Sequence, residues 1–188
     1  MDDPTDGTDP LAWETVASQV DYTCPGFDVR VDTVRLPDGT ETEYHSVEEP
    51  DAVVVLPFTT DGDVVVIEEW RQAVGRVNLG IPAGSVEADD DDLTAAAARE
   101  LAEETGYEAG SLEPAGSIEP ANGLLNATHH HFLAHDCEPT AEQSLDANES
   151  IRVDKRPVEM LREAAITGNL RDGRAAYAVL RHALARAG

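Results

Sequence analysis

GSVEADDDDLTAAAARELAEETGY, which spans residues 84–107, is the most informative segment of this chain. Within it, residues 93–105 are rich in Ala and free of Gly and Pro, with acidic residues before them and Gly106 after them. Because Ala is the best helix former and Gly is the residue that most often ends a helix, the segment predicts a helix. The Pro-Ala-Gly at residues 82–84 predicts a tight loop ahead of that helix.

Three carboxylates share one face of the predicted helix. Glu100, Glu103 and Glu104 stand at i, i+3 and i+4, so they lie within one turn of each other. Like charges at that spacing repel unless something neutralises them, and hard divalent cations with oxygen ligands do so well. Arg99 is adjacent and is suited to orient a carboxylate through paired hydrogen bonds. Spacing alone leaves one alternative, a solvated helix face in a very acidic chain.

The helix and its loop resemble the Nudix box of the Nudix hydrolases, which is Gly, five residues, Glu, seven residues, then Arg-Glu-apolar-any-Glu-Glu-any-Gly-apolar. The matching residues are Gly84, Arg99, Glu100, Leu101, Glu103, Glu104, Gly106 and Tyr107. The distance from Gly84 to Arg99 is one residue longer than in the family. The first Glu of the box therefore falls on Asp90 counted forward or on Asp91 counted back, and we interpret residues 89–92 as a loop with one inserted residue.

Four further segments look like the ADP-ribose pyrophosphatase branch of that family. They are LPDG at 36–39, EWR at 69–71, IPAG at 81–84 and DANESI at 146–151. The resemblance implies an α/β class protein with the Nudix fold, in which a mixed β-sheet is sandwiched between α-helices (α/β/α), with an N-terminal antiparallel strand region. It also implies hydrolysis of ADP-ribose to AMP and ribose 5-phosphate, and a homodimer with exchanged N-terminal strands.

Carried over to this chain, the resemblance implies a Mg²⁺ or Mn²⁺ site. Glu100 and Glu104 would hold the cation, Glu103 would be a further ligand, and the carbonyl of Ala83 would complete the shell. Arg99 would support the reaction by orienting a carboxylate. The proton of the attacking water would go to Glu149 or to one of the box glutamates, Glu103 among them.

Two other residues are candidates for binding the substrate. Arg71 would meet a phosphate, because a guanidinium suits bidentate contact, or would form a surface ion pair instead. Phe27 lies near the position where relatives offer an aromatic ring to adenine, with a core phenylalanine as the alternative, and Trp70 is expected in the core. The branch commonly has an acid at position 147 and a Glu at position 80, where this chain has Ala147 and Gly80.

Outside the box, the pattern predicts strands first and helices last. Residues 28–34 and 40–47 alternate around a Pro-Asp-Gly turn, residues 52–56 and 64–67 form apolar runs around an Asp-Gly turn, and strands resume at 116–119 and 131–134. Helices are expected at 157–167 and 172–187, the second with an apolar stripe at Tyr177, Leu180 and Leu184. We divide the chain into residues 1–50, a loose tail up to residue 10 followed by strands that would serve as a dimerisation arm, and a Nudix hydrolase domain at 51–188.

Composition narrows the choice of partners. The 188 residues include 13 Lys+Arg and 38 Asp+Glu, a net charge of −25, and such a surface repels nucleic acid and anionic membranes. The two cysteines, Cys24 and Cys137, make no disulfide scaffold, and no basic or apolar signal segment opens the chain, so we expect a cytoplasmic protein. Lys155 is the only lysine, and acid is spread along the whole chain, which favours adaptation to high internal salt.

The histidine run at 129–131 would place only two imidazoles on one face of a strand, which is an incomplete metal site, so we expect it to border the substrate cleft. The expected function is metal-dependent hydrolysis of a nucleotide, with ADP-ribose first and other nucleoside diphosphate sugars or nucleotides as alternatives. A second class is a non-catalytic Nudix-like sensor that only binds nucleotides. A third is an acidic structural domain, which would leave the box unexplained.

Overall fold

The computed structural model describes residues 9–186, so the predicted tail at residues 1–8 lies outside the described residues. The chain divides into two compact units. One contains the residues up to Pro50 together with 121–127, and the other contains residues 51–120 and 128 onwards. The first unit therefore also holds a loop that the sequence did not assign to it.

The first unit is built around a three-stranded antiparallel sheet. Its strands are β1 (Glu14–Cys24), β2 (Phe27–Arg35) and β3 (Glu41–Glu48), in the order β1-β2-β3. The alternation at residues 28–34 and the turn at 37–39 predicted β2 and β3. The sequence pattern did not predict β1, which has no buried residue and hence no apolar alternation to reveal it.

The second unit contains a seven-stranded mixed sheet. Its strands are β4 (Ala52–Thr59), β5 (Asp63–Arg71), β6 (Arg76–Gly80), β7 (Ala83–Ser85), β8 (Ser111–Ile118), β9 (His129–Cys137) and β10 (Ile151–Pro157). The main path is β10-β5-β4-β9-β8, with β6 on β5 and β7 on β4. Only the β4–β9 pair is parallel among these described strands. The short strands β6 and β7 and the edge strand β10 were not predicted.

Helices cover both faces of this sheet: α1 (Leu93–Thr105), α2 (Val158–Ile166) and α3 (Gly173–Ala185). Alternate residues of β4 point to opposite sides, since Val53 packs with α1 while Val54 packs with α2 and α3. This arrangement is the predicted α/β/α sandwich. In residues 9–186, no helix has the length and apolarity needed to cross a membrane.

The apolar stripe predicted for α3 is wrong at Leu184, whereas Tyr177 and Leu180 are half-buried. The buried residues of this helix are Ala175, Ala178 and Val179, while the side chain of Leu184 is 74% exposed near the end of the helix. Small side chains let α3 lie close to the sheet, and helical spacing alone does not distinguish this face from the one carrying the larger side chains.

Candidate active site

Helix α1 carries the three glutamates of the box and begins and ends where the sequence predicts. The side chain of Asp92 accepts hydrogen bonds from the backbone N–H groups of Thr94, at 2.8 Å, and Ala95, at 2.9 Å. Gly106 ends the helix in the left-handed conformation, with φ of 73°. Between these caps, Glu100 and Glu104 lie on the buried face.

Glycine is required at the loop that faces this helix. Gly84 lies in β7 opposite Val53 of β4, and a Cβ atom at this position would overlap the carboxylate of Glu100. The first residue of the box therefore brings the backbone close to a carboxylate of the helix. This close approach explains the glycine without any demand on its backbone angles.

Glu104 is the most deeply placed of the three glutamates, with 3% of its surface exposed. Its Oε2 accepts a hydrogen bond from the backbone N–H of Ala83 at 2.9 Å. Burial, together with the nearby carboxylates of Glu100, Glu149 and Glu69, raises the pKa of Glu104 to about 8 although the hydrogen bond from Ala83 lowers it. The surroundings therefore disfavour the charged form of Glu104 unless a cation is bound beside it.

Arg99 binds the loop and two of the glutamates at once. Its Nε and Nη2 atoms donate to Asp90 at 3.0 and 2.9 Å, and Nη2 also donates to the carbonyl of Ser85 at 2.9 Å. Its Nη1 atom donates to Glu100 at 2.8 Å and to Glu103 at 3.0 Å. This network fixes the direction of both carboxylates, so Arg99 acts by positioning them.

The loop acid that supports Arg99 is Asp90, and not Asp91. The hydrogen bonds from Arg99 lower the pKa of Asp90, which keeps its carboxylate charged. The extra residue of the loop is therefore accommodated after Asp90, between it and the helix cap at Asp92. Counting residues along the sequence leaves both Asp90 and Asp91 possible, whereas the hydrogen bonds of Arg99 identify Asp90.

Glu149 lies in the loop before β10, where its carboxylate accepts a hydrogen bond from the N–H of Asp146 at 2.9 Å. The N–H of Glu149 in turn donates to the carbonyl of Asp146 at 3.0 Å. The charge of Glu149 raises the pKa values of Glu100 and Glu104, in which burial is the larger cause. The predicted late-loop acid and the box glutamates therefore belong to one electrostatic site.

Glu69 is a functional candidate that the sequence analysis used only as part of a motif. It lies on β5 and is 7% exposed, and its Oε2 is 2.6 Å from Nη2 of Arg71. That contact lacks hydrogen-bond geometry, and this buried oxygen has no donor among residues 9–186. Burial raises the pKa of Glu69. A glutamate on a predicted strand gives no sequence signal that it faces inwards.

Asp172 and Arg174, which were not predicted as site residues, lie beside Glu69 and Arg71. Asp172 caps α3 by accepting the N–H of Ala175 at 3.0 Å, and it pairs with Arg174 at 3.0 Å. Burial would raise the pKa of Asp172, but the charge and hydrogen bond of Arg174 outweigh it and the pKa is lowered.

The carboxylate of Asp172 also lies next to Gly80. Its Oδ2 is 3.7 Å from the point where a Cβ atom of Gly80 would stand. An acid from α3 therefore occupies the surroundings of a position where the ADP-ribose pyrophosphatase branch commonly has Glu. Only the tertiary structure brings these two positions together, because 92 residues separate them along the chain.

The residues predicted to bind the substrate, Arg71 and Phe27, and the neighbouring Trp70 differ in their exposure and contacts. Arg71, at the end of β5, is paired with the buried Glu69 and not with a surface acid. Trp70 is 47% exposed, so its expected place in the core is wrong. Phe27, in the first unit, is 39% exposed with its ring centroid 6.3 Å from that of Tyr22, so it is not a core residue.

The histidine run lies on β9. His130 contacts the carboxylate of Asp51 at 3.2 Å, and His131 is 2% exposed beneath the ring of Tyr177. Burial lowers the pKa of His129, with Arg174 adding to the effect. The three imidazoles therefore have separate surroundings and form no common group.

The carboxylates of the site have the chemistry of cation ligands but are not arranged as a ready cation site. In the part of the chain that is described, no three His, Cys, Asp or Glu side chains form a ready metal-binding group. Glu100 and Glu103 are instead hydrogen-bonded to Arg99. The donors nevertheless suit a hard divalent ion, because they are carboxylate oxygens, the charged form of Glu104 needs a nearby positive charge, and one buried oxygen of Glu69 lacks a donor.

Comparison with known proteins finds a matching family model and several relatives. Residues 48–176 match the family model described as the NUDIX domain. The chain is 30% identical over 171 residues to the ADP-ribose pyrophosphatase of Bacillus subtilis (strain 168), covering 90% of this chain and 91% of that protein. It is 34% identical to the methanol dehydrogenase activator of Bacillus methanolicus over 106 residues, 56% of this chain and 57% of that protein.

A solved structure gives the same result for the fold. The crystal structure of an ADP compounds hydrolase superposes with a TM-score of 0.78 at 19% identity, covering 90% of this chain and 91% of that one. At this identity the likeness concerns the fold alone.

Proposed function

This chain belongs to the Nudix family, and from that premise we propose that it is a metal-dependent hydrolase of ADP-ribose, releasing AMP and ribose 5-phosphate. The observation that carries the proposal is that Glu100, Glu149 and Glu69 lie close enough to the buried Glu104 for their charges to act on its carboxylate. The relative of similar length named ADP-ribose pyrophosphatase supports the choice of substrate.

Glu100 and Glu104 would hold a Mg²⁺ or Mn²⁺ ion, with Glu103 and the carbonyl of Ala83 as further ligands. When bound, such a cation neutralises diphosphate oxygens and makes water more acidic. Arg99 keeps Glu100 and Glu103 in place through its hydrogen bonds. Arg71 would contact a substrate phosphate while it also remains in its ion pair with Glu69.

Glu149 is the group we assign as the acceptor of the proton from the attacking water. Its side chain is half-buried, and its charge acts on Glu100 of the box. Among the described residues, only a backbone N–H donates a hydrogen bond to it. Glu103 is a weaker candidate, because its Oε2 already accepts a hydrogen bond from the guanidinium of Arg99 at 3.0 Å. Glu149→Gln should therefore lower kcat more than Glu103→Gln at equal folding stability.

The test of the whole proposal is ADP-ribose cleavage by wild type and by Glu104→Gln. The amide keeps the size of the side chain but loses the charge, so we expect turnover to fall about a hundredfold or more, some 3 kcal/mol of transition-state stabilisation. Glu163→Gln, on the exposed face of α2, is the matched control and should turn over as wild type does. EDTA should abolish activity, and added Mg²⁺ or Mn²⁺ should restore it.

The outcomes separate the competing functions. Release of AMP and ribose 5-phosphate by wild type supports the hydrolase. Binding of ADP-ribose without cleavage would make the protein a sensor, and neither binding nor cleavage would leave a structural domain. Cleavage of another nucleoside diphosphate sugar in preference to ADP-ribose would keep the chemistry and change the substrate.

A homodimer is part of the proposal. β1 is an edge strand whose residues are exposed or, at Cys24, half-buried. Large apolar side chains are 45–56% exposed along it and directly before it, namely Val16, Val20, Tyr22 and the preceding Trp13. An edge strand with apolar side chains is a template for a second copy of the chain. Val20→Lys should convert a dimer into a monomer by light scattering, and a wild-type monomer would contradict this part.

A cytoplasmic location also remains a proposal. Cys24 and Cys137 are both free, which suits a reducing compartment.

A further inference from the structure

Strand β8 bulges opposite a single residue of β9. Between Pro114 and Ser117 the strand has two residues where β9 has only one, His131. One of the two is Gly116, whose φ of 95° suits glycine alone. Bulges re-aim side chains and are frequent beside functional sites, so this one calls for a closer look at what it opens.

The bulge borders a cavity of about 420 Å³ between the β8–β9 edge and α3. Apolar groups form much of its wall, namely Pro114, Ala115, Leu133, Ala178 and Ala185. Three of these are alanines, and their small side chains leave the space open. The volume lies within the range of pockets that hold small organic molecules.

His131 lines this cavity and is 2% exposed. Both of its ring nitrogens lack a hydrogen-bond partner among residues 9–186. A buried polar group without a partner costs about 1–3 kcal/mol, so most such groups in natural proteins are hydrogen-bonded and an exception calls for a water or a bound molecule as the partner. A molecule in the cavity would supply that partner.

The charged groups at the cavity are mostly cationic or able to donate a proton. Arg181 and Arg186 line it together with His135 and His182, and Glu113 is the one acid among the lining residues. Glu113 lies 3.4 Å from His135.

Arg181 makes no ion pair with any residue that the structure describes. Its Nη2 atom is 3.2 Å from where a Cβ atom of Gly116 would stand, so the bulge glycine makes room for the guanidinium. An unpaired arginine at a cavity is informative in a chain with a net charge of −25.

We propose that the cavity between the β8 bulge and α3 binds a small organic phosphate, whose phosphate contacts Arg181 and His131 and whose body lies on the apolar wall. The imidazole lies on the strand and the guanidinium on the helix, and the several oxygens of a phosphate can accept hydrogen bonds from both. The site does not depend on the proposed cleavage of ADP-ribose, because none of its residues belongs to the carboxylate site.

The test is calorimetric titration of EDTA-treated protein at a fixed KCl concentration, with phenyl phosphate as the probe. Phenol and inorganic phosphate are the two half-probes. We expect phenyl phosphate to bind with a Kd of about 1 mM or tighter, at least tenfold tighter than either half. The imidazole signals of His131 should shift in NMR spectra of histidine-labelled protein as the site fills.

Two variants locate the site. Arg181→Gln should weaken the binding of phenyl phosphate about tenfold or more, and Ala185→Leu should do the same by filling the cavity. Arg162→Gln removes the same charge from α2, where Arg162 pairs with Glu159, and should bind as wild type does. Melting temperatures establish that each variant is folded.

Three results would overturn the proposal: no saturable binding of phenyl phosphate, equal binding by Arg181→Gln, or equal binding of inorganic phosphate. The last would show that the apolar wall contributes nothing.

Discussion

The side chain of Asp90 connects the loop of the box to the glutamates of its helix through Arg99. Asp90 holds Arg99 through two hydrogen bonds, and Arg99 in turn holds Glu100 and Glu103. The family pattern places a Glu here, and in this chain the shorter Asp contacts Arg99 from a loop that has one more residue.

We predict that Asp90→Asn lowers kcat for ADP-ribose about 10–100-fold, the usual effect of losing a group that orients a ligand side chain. The amide cannot accept two charge-assisted hydrogen bonds from Arg99, so Glu100 loses its orientation. Asp91→Asn is the matched control, with the same chemical change one residue further on, and should stay within about twofold of wild type. Equal losses in both variants would show that the loop acts only through its total charge.

We expect His131 to make the folded protein sensitive to acid. Burial, with the neighbouring His129 and the positive charges of Arg181 and Arg174, lowers the pKa of His131 from 6.5 to about 4. The unfolded chain therefore takes up a proton below pH 6.5 that the folded chain takes up only near pH 4. Stability is lost as the pH falls through this window, by about 1.4 kcal/mol per pH unit at most.

We therefore predict that His131→Leu flattens the loss of unfolding free energy between pH 6.5 and about 4. Leucine has a similar volume and carries no titratable group. Urea unfolding of both proteins across this range measures the difference. Parallel curves for wild type and variant would mean that other groups cause the acid sensitivity.

At the scale of elements, α1 links local sequence to the site. The helix must begin at the right residue, because Glu100 and Glu104 face inwards only in that register. Asp92 sets the beginning by capping two backbone N–H groups, and Gly106 sets the end.

Asp92→Ala should reduce the free energy of unfolding by about 1 kcal/mol, since the N-terminal amides of α1 lose their acceptor. Chemical denaturation measures the change, with Asp91→Ala as the control that removes an acid without removing the cap. A stability loss of the same size in the control would assign the effect to charge and not to capping.

At the scale of the whole molecule, the net charge of −25 opposes the compact state. We predict that the melting temperature rises with KCl up to about 1 M, where the Debye length falls to about 3 Å. Sucrose at equal osmolality is the control, because it screens no charge. A flat or falling curve in KCl would remove the proposed adaptation to high salt.

The sequence determined the family, the α/β/α fold and the limits of α1, and these predictions are confirmed. Each follows from a local pattern in the sequence. These patterns are an Ala-rich run between two helix caps, the apolar runs that form β4 and β5, and a box whose glutamates lie within one turn of a helix. The elements it missed, β1, β6, β7 and β10, are exposed, short or polar, and they form because other strands pair with them.

The tertiary structure alone decided which acidic and basic side chains lie close to each other. Asp172 lies beside Gly80, Glu69 faces the box, and His131 lies buried without a partner, although none of these positions is marked by its neighbours in sequence. The physical reason is that burial and charge depend on groups brought together by packing across the sheet. Local sequence can specify a helix and its caps, but it cannot specify the dielectric and the neighbours that a side chain meets once the chain has folded.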